Sequence, residues 1–215
     1  MSRRYDCADA GDRETGLREA ASAIRRGELV VLPTDTLYGI GADAFSPEAV
    51  AALLDAKGRG RNMPSPVLVG SPTTLHGLVT DFSEQAWELV DAFWPGGLTL
   101  VAKHQPSLRW DLGDTRGTVA VRMPLHPVAL ELLNNVGPMA VSSANRTGGP
   151  SPSTCDDAFT QLGDSVSVYL DGGNADFGQA SSIVDVTGKV PVLLRAGAIS
   201  AEQLREVVPD LEAGS

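Results

Sequence analysis

Three cations, Lys57, Arg59 and Arg61, fall together at the end of "ALLDAKGRGRNMP", in a chain with only three lysines in all. Such a cluster either closes a solvated helix end, where basic residues favour the macrodipole, or serves an anion. A lysine offers a point charge and an arginine a planar fork. A second polar cluster, "SSANRTGGP" at 142–150, offers hydroxyls from Ser142 and Ser143, the amide of Asn145 and glycine-exposed backbone N–H groups. Those are the ingredients of an anion nest, although Asn with Gly is also ordinary turn chemistry. Arg122 in "AVRMP" and Arg195 in "LLRAG" each stand alone at the end of an apolar strand. Each is either a rim ion pair, the commoner use, or a ligand clamp. The residue types suit a polyanion without matching a standard motif.

Standard motifs are excluded one by one. Gly39, Gly41 and Ala44 fit G-x-G-x-x-A, but the preceding strand ends near Pro33 and the next helix begins near Ser46. The dinucleotide fingerprint needs a tight strand-to-helix turn, and this gap is too wide for one. G-x-x-x-x-G-K-[ST] is absent, and no G-x-S-x-G elbow makes Ser142 or Ser143 a hydrolase nucleophile. The histidines, His76, His104 and His126, lack ligand-like spacing.

These residues need a scaffold, and the pattern predicts one. Leu17 to Arg26 reads as a helix stopped by Gly27, followed by the buried strand "ELVVLP". "SPEAVAALLDAK" has Ser46 as N-cap and Pro47 at the first helical position. "PVLVG", "LTLVA", "TVAVRM" and "PMAVSSA" read as strands, "SEQAWELVDAFW" and "PVALELLNN" as helices. A short helix "CDDAFTQLG", the strands "VSVYLD", "SIVDV" and "VLLR" and a last helix "SAEQLREVV" complete the chain. Interleaved helices and strands predict an α/β fold, a single-domain twisted mixed sheet flanked by helices. "PTDTLYGIGAD" (33–43) and "SSANRTGGP" follow strands, where α/β proteins gather ligand-binding groups, and are expected as functional loops. "KGRGR" (57–61) follows a helix instead.

Composition narrows the function classes. At 215 residues the chain is expected to form one domain spanning 1–215, with a core about 13–208. A net charge of −10 argues against nonspecific nucleic-acid binding, which depends on displacing counterions with basic surface. Fourteen of the 17 basic residues are arginine, so cationic work falls mostly to planar forks. Two remote cysteines, Cys7 and Cys155, predict free thiols in a reducing compartment. No run approaches membrane-spanning length, and a cytoplasmic location is expected.

Seven segments, taken in order, resemble the YrdC-like family of threonylcarbamoyl-AMP synthases: "PTDTLYGIGADA", "AKGRGRNMP", "FWPGGLTLV", "VAVRMPLHP", "VSSAN", "SSIVDV" and "LLRAG". The family's Lys-x-Arg and Ser-x-Asn fall at Lys57, Arg59, Ser143 and Asn145. The resemblance implies a YrdC-like fold and an enzyme that makes threonylcarbamoyl-AMP and pyrophosphate from L-threonine, bicarbonate and ATP, for modification of tRNA. It implies Lys57 and Arg59 as the central, catalytic pair. ATP would be bound by Tyr38, Lys57, Arg59, Arg61, Ser143, Asn145 and Arg195, and threonine by Thr34, Arg122, Val141 and Ser181. Mg²⁺ would ride on the ATP phosphates rather than on protein side chains. Hand-off to a tRNA threonylcarbamoyl transferase complex is implied, with weak or no direct RNA binding. The alternatives are a double-stranded RNA-binding module, which would need a continuous basic surface, and a paralogue using another carbamoyl acceptor. The second is raised by one departure: many relatives carry "PLIVH", whose histidine faces the amino acid, whereas this chain reads "PSPVLVGS" with Val69 or Gly70 in that place. Others are "KGRG" for "KGRP" and "SANRTGG" for "SANxSG", where Thr147 keeps the hydroxyl. Longer relatives carry an extra C-terminal domain, and this chain is expected to match the catalytic domain alone.

Overall fold

Strands and helices alternate along the chain, as the pattern of apolar residues predicts. The structure is a computed structural model and describes residues 2–175 and 178–214. The order is β1 (Arg3–Asp6), α1 (Ala10–Arg25), β2 (Val30–Leu32), β3 (Gly39–Asp43), α2 (Pro47–Lys57), β4 (Val67–Leu68), α3 (Leu75–Leu78), β5 (Val79–Thr80) and α4 (Glu84–Phe93). There follow β6 (Leu98–His104), β7 (Thr118–Arg122), α5 (Pro127–Val136), β8 (Met139–Ser143), α6 (Cys155–Leu162), β9 (Val168–Asp171), β10 (Ser182–Asp185), β11 (Val192–Arg195), α7 (Ala201–Val207) and β12 (Glu212–Ala213). The strands form one mixed sheet in the order β1-β9-β2-β3-β8-β4-β7-β6-β10-β11-β12, with β5 paired to β6.

Alternation along the strands sorts side chains onto two faces. One face is roofed along most of the sheet. Its β2, β3 and β9 residues Val31, Ile40 and Tyr169 pack with Leu53 of α2 and Ala158 of α6. Farther along, Val67, Leu100 and Val121 pack with Leu89 of α4 and Leu204 of α7. The other face is roofed only in part: Leu32, Leu68, Met139 and Val141 lie against Leu17 of α1 and Leu132 of α5. In register, Leu68 pairs with Arg122, Ala120 with Val101, and Thr99 with Ile183, so the same face continues across β7, β6 and β10. There it is open, and it forms the floor of a cleft.

The helix caps follow the sequence. Ser46 Oγ accepts from Ala49 N at 3.2 Å with Pro47 in the first turn. Thr154 and Ser200 each close a capping box. The short elements β1, α3, β5 and β12 were not expected from the sequence, and two further departures bear on how the chain is read. Residues 39–43, expected as part of a loop, form β3 between β2 and β8. Glycine is disfavoured in strands, yet a Cβ at Gly39 would stand 2.6 Å from Val141 Cγ1 and one at Gly41 2.6 Å from Met139 Cε. Close approach to β8 demands the missing side chains. With Gly39 and Gly41 in a strand, no dinucleotide turn exists at this place. The first helix begins at Ala10 rather than near Leu17, because Asp9 Oδ1 caps Asp12 N at 2.9 Å.

Candidate active site

Gly58 decides where the cation cluster goes. It caps α2 in the left-handed conformation (φ 59°), and Arg59 N then donates to Leu54 O at 2.9 Å. This reversal turns the chain back toward β8. Lys57 is 2% exposed; its ammonium donates to the carbonyls of Ser143 and of Asn145, the latter at 2.6 Å. The carbonyl of Lys57 in turn accepts from Thr147 N at 2.8 Å. Helix end and Ser-x-Asn segment are thus zipped together. Burial pushes the Lys57 ammonium down to about 8, helped by the Arg59 charge. The solvated-helix-end reading fails for this residue.

Arg59 is half-buried and reaches the cleft. Its Nε donates to Met63 O (2.6 Å), Nη1 to Ser142 Oγ (3.1 Å) and Nη2 to Pro64 O (3.2 Å). Arg195 stands at the opposite rim, donating from Nε and Nη2 to Ser181 O at 3.0 and 2.6 Å. Among the described residues, Lys57, Arg59 and Arg195 hydrogen-bond only to neutral oxygens. Three cations without a carboxylate, two on one wall and Arg195 across from them, make this cleft an anion site on electrostatic grounds.

The floor supplies the other half. Arg122, 6% exposed, donates from Nε to Gly96 O (2.8 Å), Nη1 to Thr36 Oγ1 (2.7 Å) and Nη2 to Asp35 Oδ1 (2.5 Å). Burial pulls its pKa down and Asp35 works against that. Thr34 Oγ1 donates to Leu37 O at 2.6 Å and accepts from the Leu37 N–H, fixing the turn before β3. Thr99 Oγ1 lies 2.7 Å from Ser181 Oγ.

One cleft of about 420 Å³ gathers Thr34, Tyr38, Arg59, Arg122, Val141, Ser143, Ser181 and Arg195. Lys57 and Asn145 lie behind its wall: Asn145 Nδ2 donates to Arg146 O and Gly149 O, and its buried Oδ1 has no hydrogen-bond partner among the described residues. Tyr38 lines the cleft, but its hydroxyl donates away from it, to Gly173 O at 2.6 Å. Arg61 is not brought in: its guanidinium pairs with Asp111 at 2.7 Å on the surface. Thr36, Thr99, Ser151 and Leu68 line the cleft and were not foreseen; "PTDT" shows hydroxyls in the sequence but not which of them face inward.

Neither position named for the missing histidine, Val69 or Gly70, lines the cleft. Val69 is fully buried on the roofed face and Gly70 is outside the cleft, whereas Leu68 lines it. A second cavity of about 660 Å³, beside Arg4, Cys7 and Asp171, is different in kind. There Arg4 is paired with Asp171 and Asp156, and Arg13 with Glu131, so both arginines that line it are neutralised by carboxylates.

A family model named Sua5/YciO/YrdC, described as "Telomere recombination", matches residues 22–197. A protein of Mycobacterium tuberculosis, whose name gives threonylcarbamoyl-AMP synthase as a provisional assignment, is 58% identical over 97% of this chain and 96% of its own length. The threonylcarbamoyl-AMP synthase of Pyrococcus abyssi is 37% identical over 92% of this chain, which spans 58% of that longer protein. The crystal structure of P. abyssi Sua5 complexed with L-threonine superposes with a TM-score of 0.93 at 33% identity, over 100% of this chain and 62% of that one. With the model covering most of its length, this chain belongs to the Sua5/YciO/YrdC family.

Proposed function

We propose that this chain is an L-threonylcarbamoyladenylate synthase, a nucleotidyltransferase that makes threonylcarbamoyl-AMP and pyrophosphate from L-threonine, bicarbonate or CO2, and ATP. The observation that carries this reading is one cleft with chemically distinct walls and floor. The walls carry unneutralised cations, Lys57 and Arg59 on one side and Arg195 across from them, and the floor carries a buried arginine fork, Arg122. A triphosphate suits the first and an amino-acid carboxylate the second. The threonine-bound Sua5 structure and the names of the relatives support the same assignment.

The reaction follows from that placement. The threonine amine attacks CO2 and loses a proton, giving a carbamate. A carbamate oxygen then attacks the α-phosphorus, and the bond to the leaving pyrophosphate breaks. Such a displacement needs positioning and charge neutralisation rather than a covalent nucleophile. Arg59 and Arg195 would neutralise charge directly. Lys57 would add its charge from behind the wall while holding Ser143 and Asn145 in place. Thr34, Val141 and Ser181 would enclose the amino acid. The oxygens on this chain's cleft are hydroxyls and carbonyls, which suit a hard cation that keeps its waters, and Mg²⁺ would enter with the nucleotide. Arg61 would have to leave Asp111 to reach a phosphate. A cytoplasmic location, and delivery of the product to a tRNA threonylcarbamoyl transferase complex for t6A formation, complete the proposal; no described helix is long and apolar enough to cross a membrane.

The test is pyrophosphate release from purified protein with ATP, Mg²⁺ and bicarbonate, in the absence of tRNA. Release that rises on adding L-threonine, and more than with other amino acids, is the expected result. Release equally fast without threonine overturns the assignment.

A further inference from the structure

Arg122 is held on three sides by the protein itself. Gly96 O, Thr36 Oγ1 and Asp35 Oδ1 occupy one N–H each on Nε, Nη1 and Nη2. A guanidinium has five N–H donors, so one remains on each terminal nitrogen. Two N–H groups on neighbouring nitrogens are what a carboxylate accepts from when it binds bidentately.

Asp35 sits behind this fork. It is 1% exposed and does not line the cleft, whereas Arg122 does. Its Oδ1 also accepts from Leu125 N at 2.9 Å, which ties it to the chain just beyond β7. Its Oδ2 is buried without a hydrogen-bond partner among the described residues. A buried ion pair is weak evidence for stability, and an orphaned carboxylate oxygen makes the arrangement worse for folding alone. An arrangement that folding disfavours calls for another reason to exist.

We infer that Asp35 is a positioning residue for the amino-acid substrate: it fixes the rotation of the Arg122 fork, so that the two remaining N–H groups meet the substrate carboxylate together. The inference rests on the synthase reading above. Asp35 touches no substrate and acts only through Arg122. The consequence is selective. Threonine binding depends on Asp35, while nucleotide binding, which uses Arg59 and Arg195, does not.

The test compares Asp35→Asn and Asp35→Glu with wild type in threonine-dependent pyrophosphate release. Asn keeps the shape and removes the charge; Glu keeps the charge and displaces the carboxylate by one methylene. Positioning predicts that the KM for L-threonine rises about 10-fold or more in both variants, since small misplacements of a fork are costly. The KM for ATP stays within about twofold, because Asp35 bonds to Arg122 and Leu125 N and to neither Arg59 nor Arg195. If Asp35→Asn does not fold, Asp35→Glu carries the comparison. Recovery of wild-type threonine KM by Glu, a parallel loss for ATP and threonine, or unfolding of both variants assigns Asp35 to stability and overturns the inference. A wild-type protein without threonine-dependent release fails the synthase reading instead, so the two failures are separable.

Discussion

The Lys57 ammonium donates to the carbonyl oxygen of Asn145 at 2.6 Å, joining residues 88 apart in sequence. Together with its second bond, to Ser143 O, this makes the lysine the pin between the end of α2 and the end of β8. The two halves of the family signature are therefore one structural unit before any nucleotide binds. A lysine that acts only as a phosphate clamp has no need of two carbonyls. Here the ammonium both orders the segment and adds charge behind the cleft wall.

That dual role has a pH signature. The Lys57 pKa is about 8 in the folded protein against an ordinary value of 10.5, through burial first and the Arg59 charge second. Between these values the unfolded chain binds more protons than the folded one, so this residue makes stability rise as pH increases through that window. A neutral amine keeps two N–H donors, enough for both carbonyls. Chemical denaturation of wild type and Lys57→Met at about pH 7 and about pH 10 checks this. Relative to the variant, wild type gains stability at the higher pH. The comparison is needed because Cys7 and Cys155, whose pKa values burial raises, work in the opposite direction. A relative fall would contradict an uncompensated buried ammonium.

Gly39 links the fold to the cleft. A Cβ there meets Val141 Cγ1 at 2.6 Å, and the valine is stiff at χ1 and cannot easily swing aside. Gly39→Ala is expected to cost about 1–3 kcal/mol by overpacking. Because Gly39 and Val141 both line the cleft, threonine binding weakens as well. Urea midpoints and calorimetry read the two effects separately. An alanine variant with unchanged stability would mean that β3 and β8 can separate at little cost.

Much of this was legible in the sequence. Long helices with orthodox starts, such as the one capped by Ser46, were readable because local chemistry decides them. Strand β3 was not, since its glycines answer to Val141 and Met139 on a strand nearly a hundred residues on. Strand β1, "RRYD", has no apolar run and exists through parallel pairing with β9. The cation cluster split in a way that spacing could not foretell: Lys57 is buried, Arg59 faces the cleft and Arg61 pairs with Asp111. Strand β4 is only two residues long, too short to show which of Leu68 and Val69 faces inward.

Net charge makes a prediction about nucleic acid. At −10, with Lys57 and Arg122 buried, few phosphates of a duplex can be neutralised at once. Binding to double-stranded RNA is expected to be weak and to disappear with modest salt. Filter binding across a salt series measures it, and tight binding at physiological salt would reveal a basic groove and favour an RNA-binding module.

Arg59 and Arg61 provide the sharpest internal comparison, because they are two residues apart and chemically identical. Arg59 lines the cleft, half-buried, with its hydrogen bonds going only to Met63 O, Pro64 O and Ser142 Oγ. Its full positive charge is left for a ligand. Arg61 spends its charge on Asp111 at the surface, where exposed pairs contribute little. Loss of one preorganised electrostatic partner typically costs ~10²-fold or more in rate. Arg59→Ala is therefore expected to lose about 10²-fold or more of threonine-dependent pyrophosphate release, with the deficit persisting at saturating ATP. Arg61→Ala should retain most of the activity, with thermal melting confirming that both variants are folded. Equal losses in the two would show that Arg61 abandons Asp111 when nucleotide binds and that the clamp is wider than the cleft seen here. Equal retention would return Arg59 to an ordinary structural role and leave Arg195 and Lys57 as the charges that hold the phosphates.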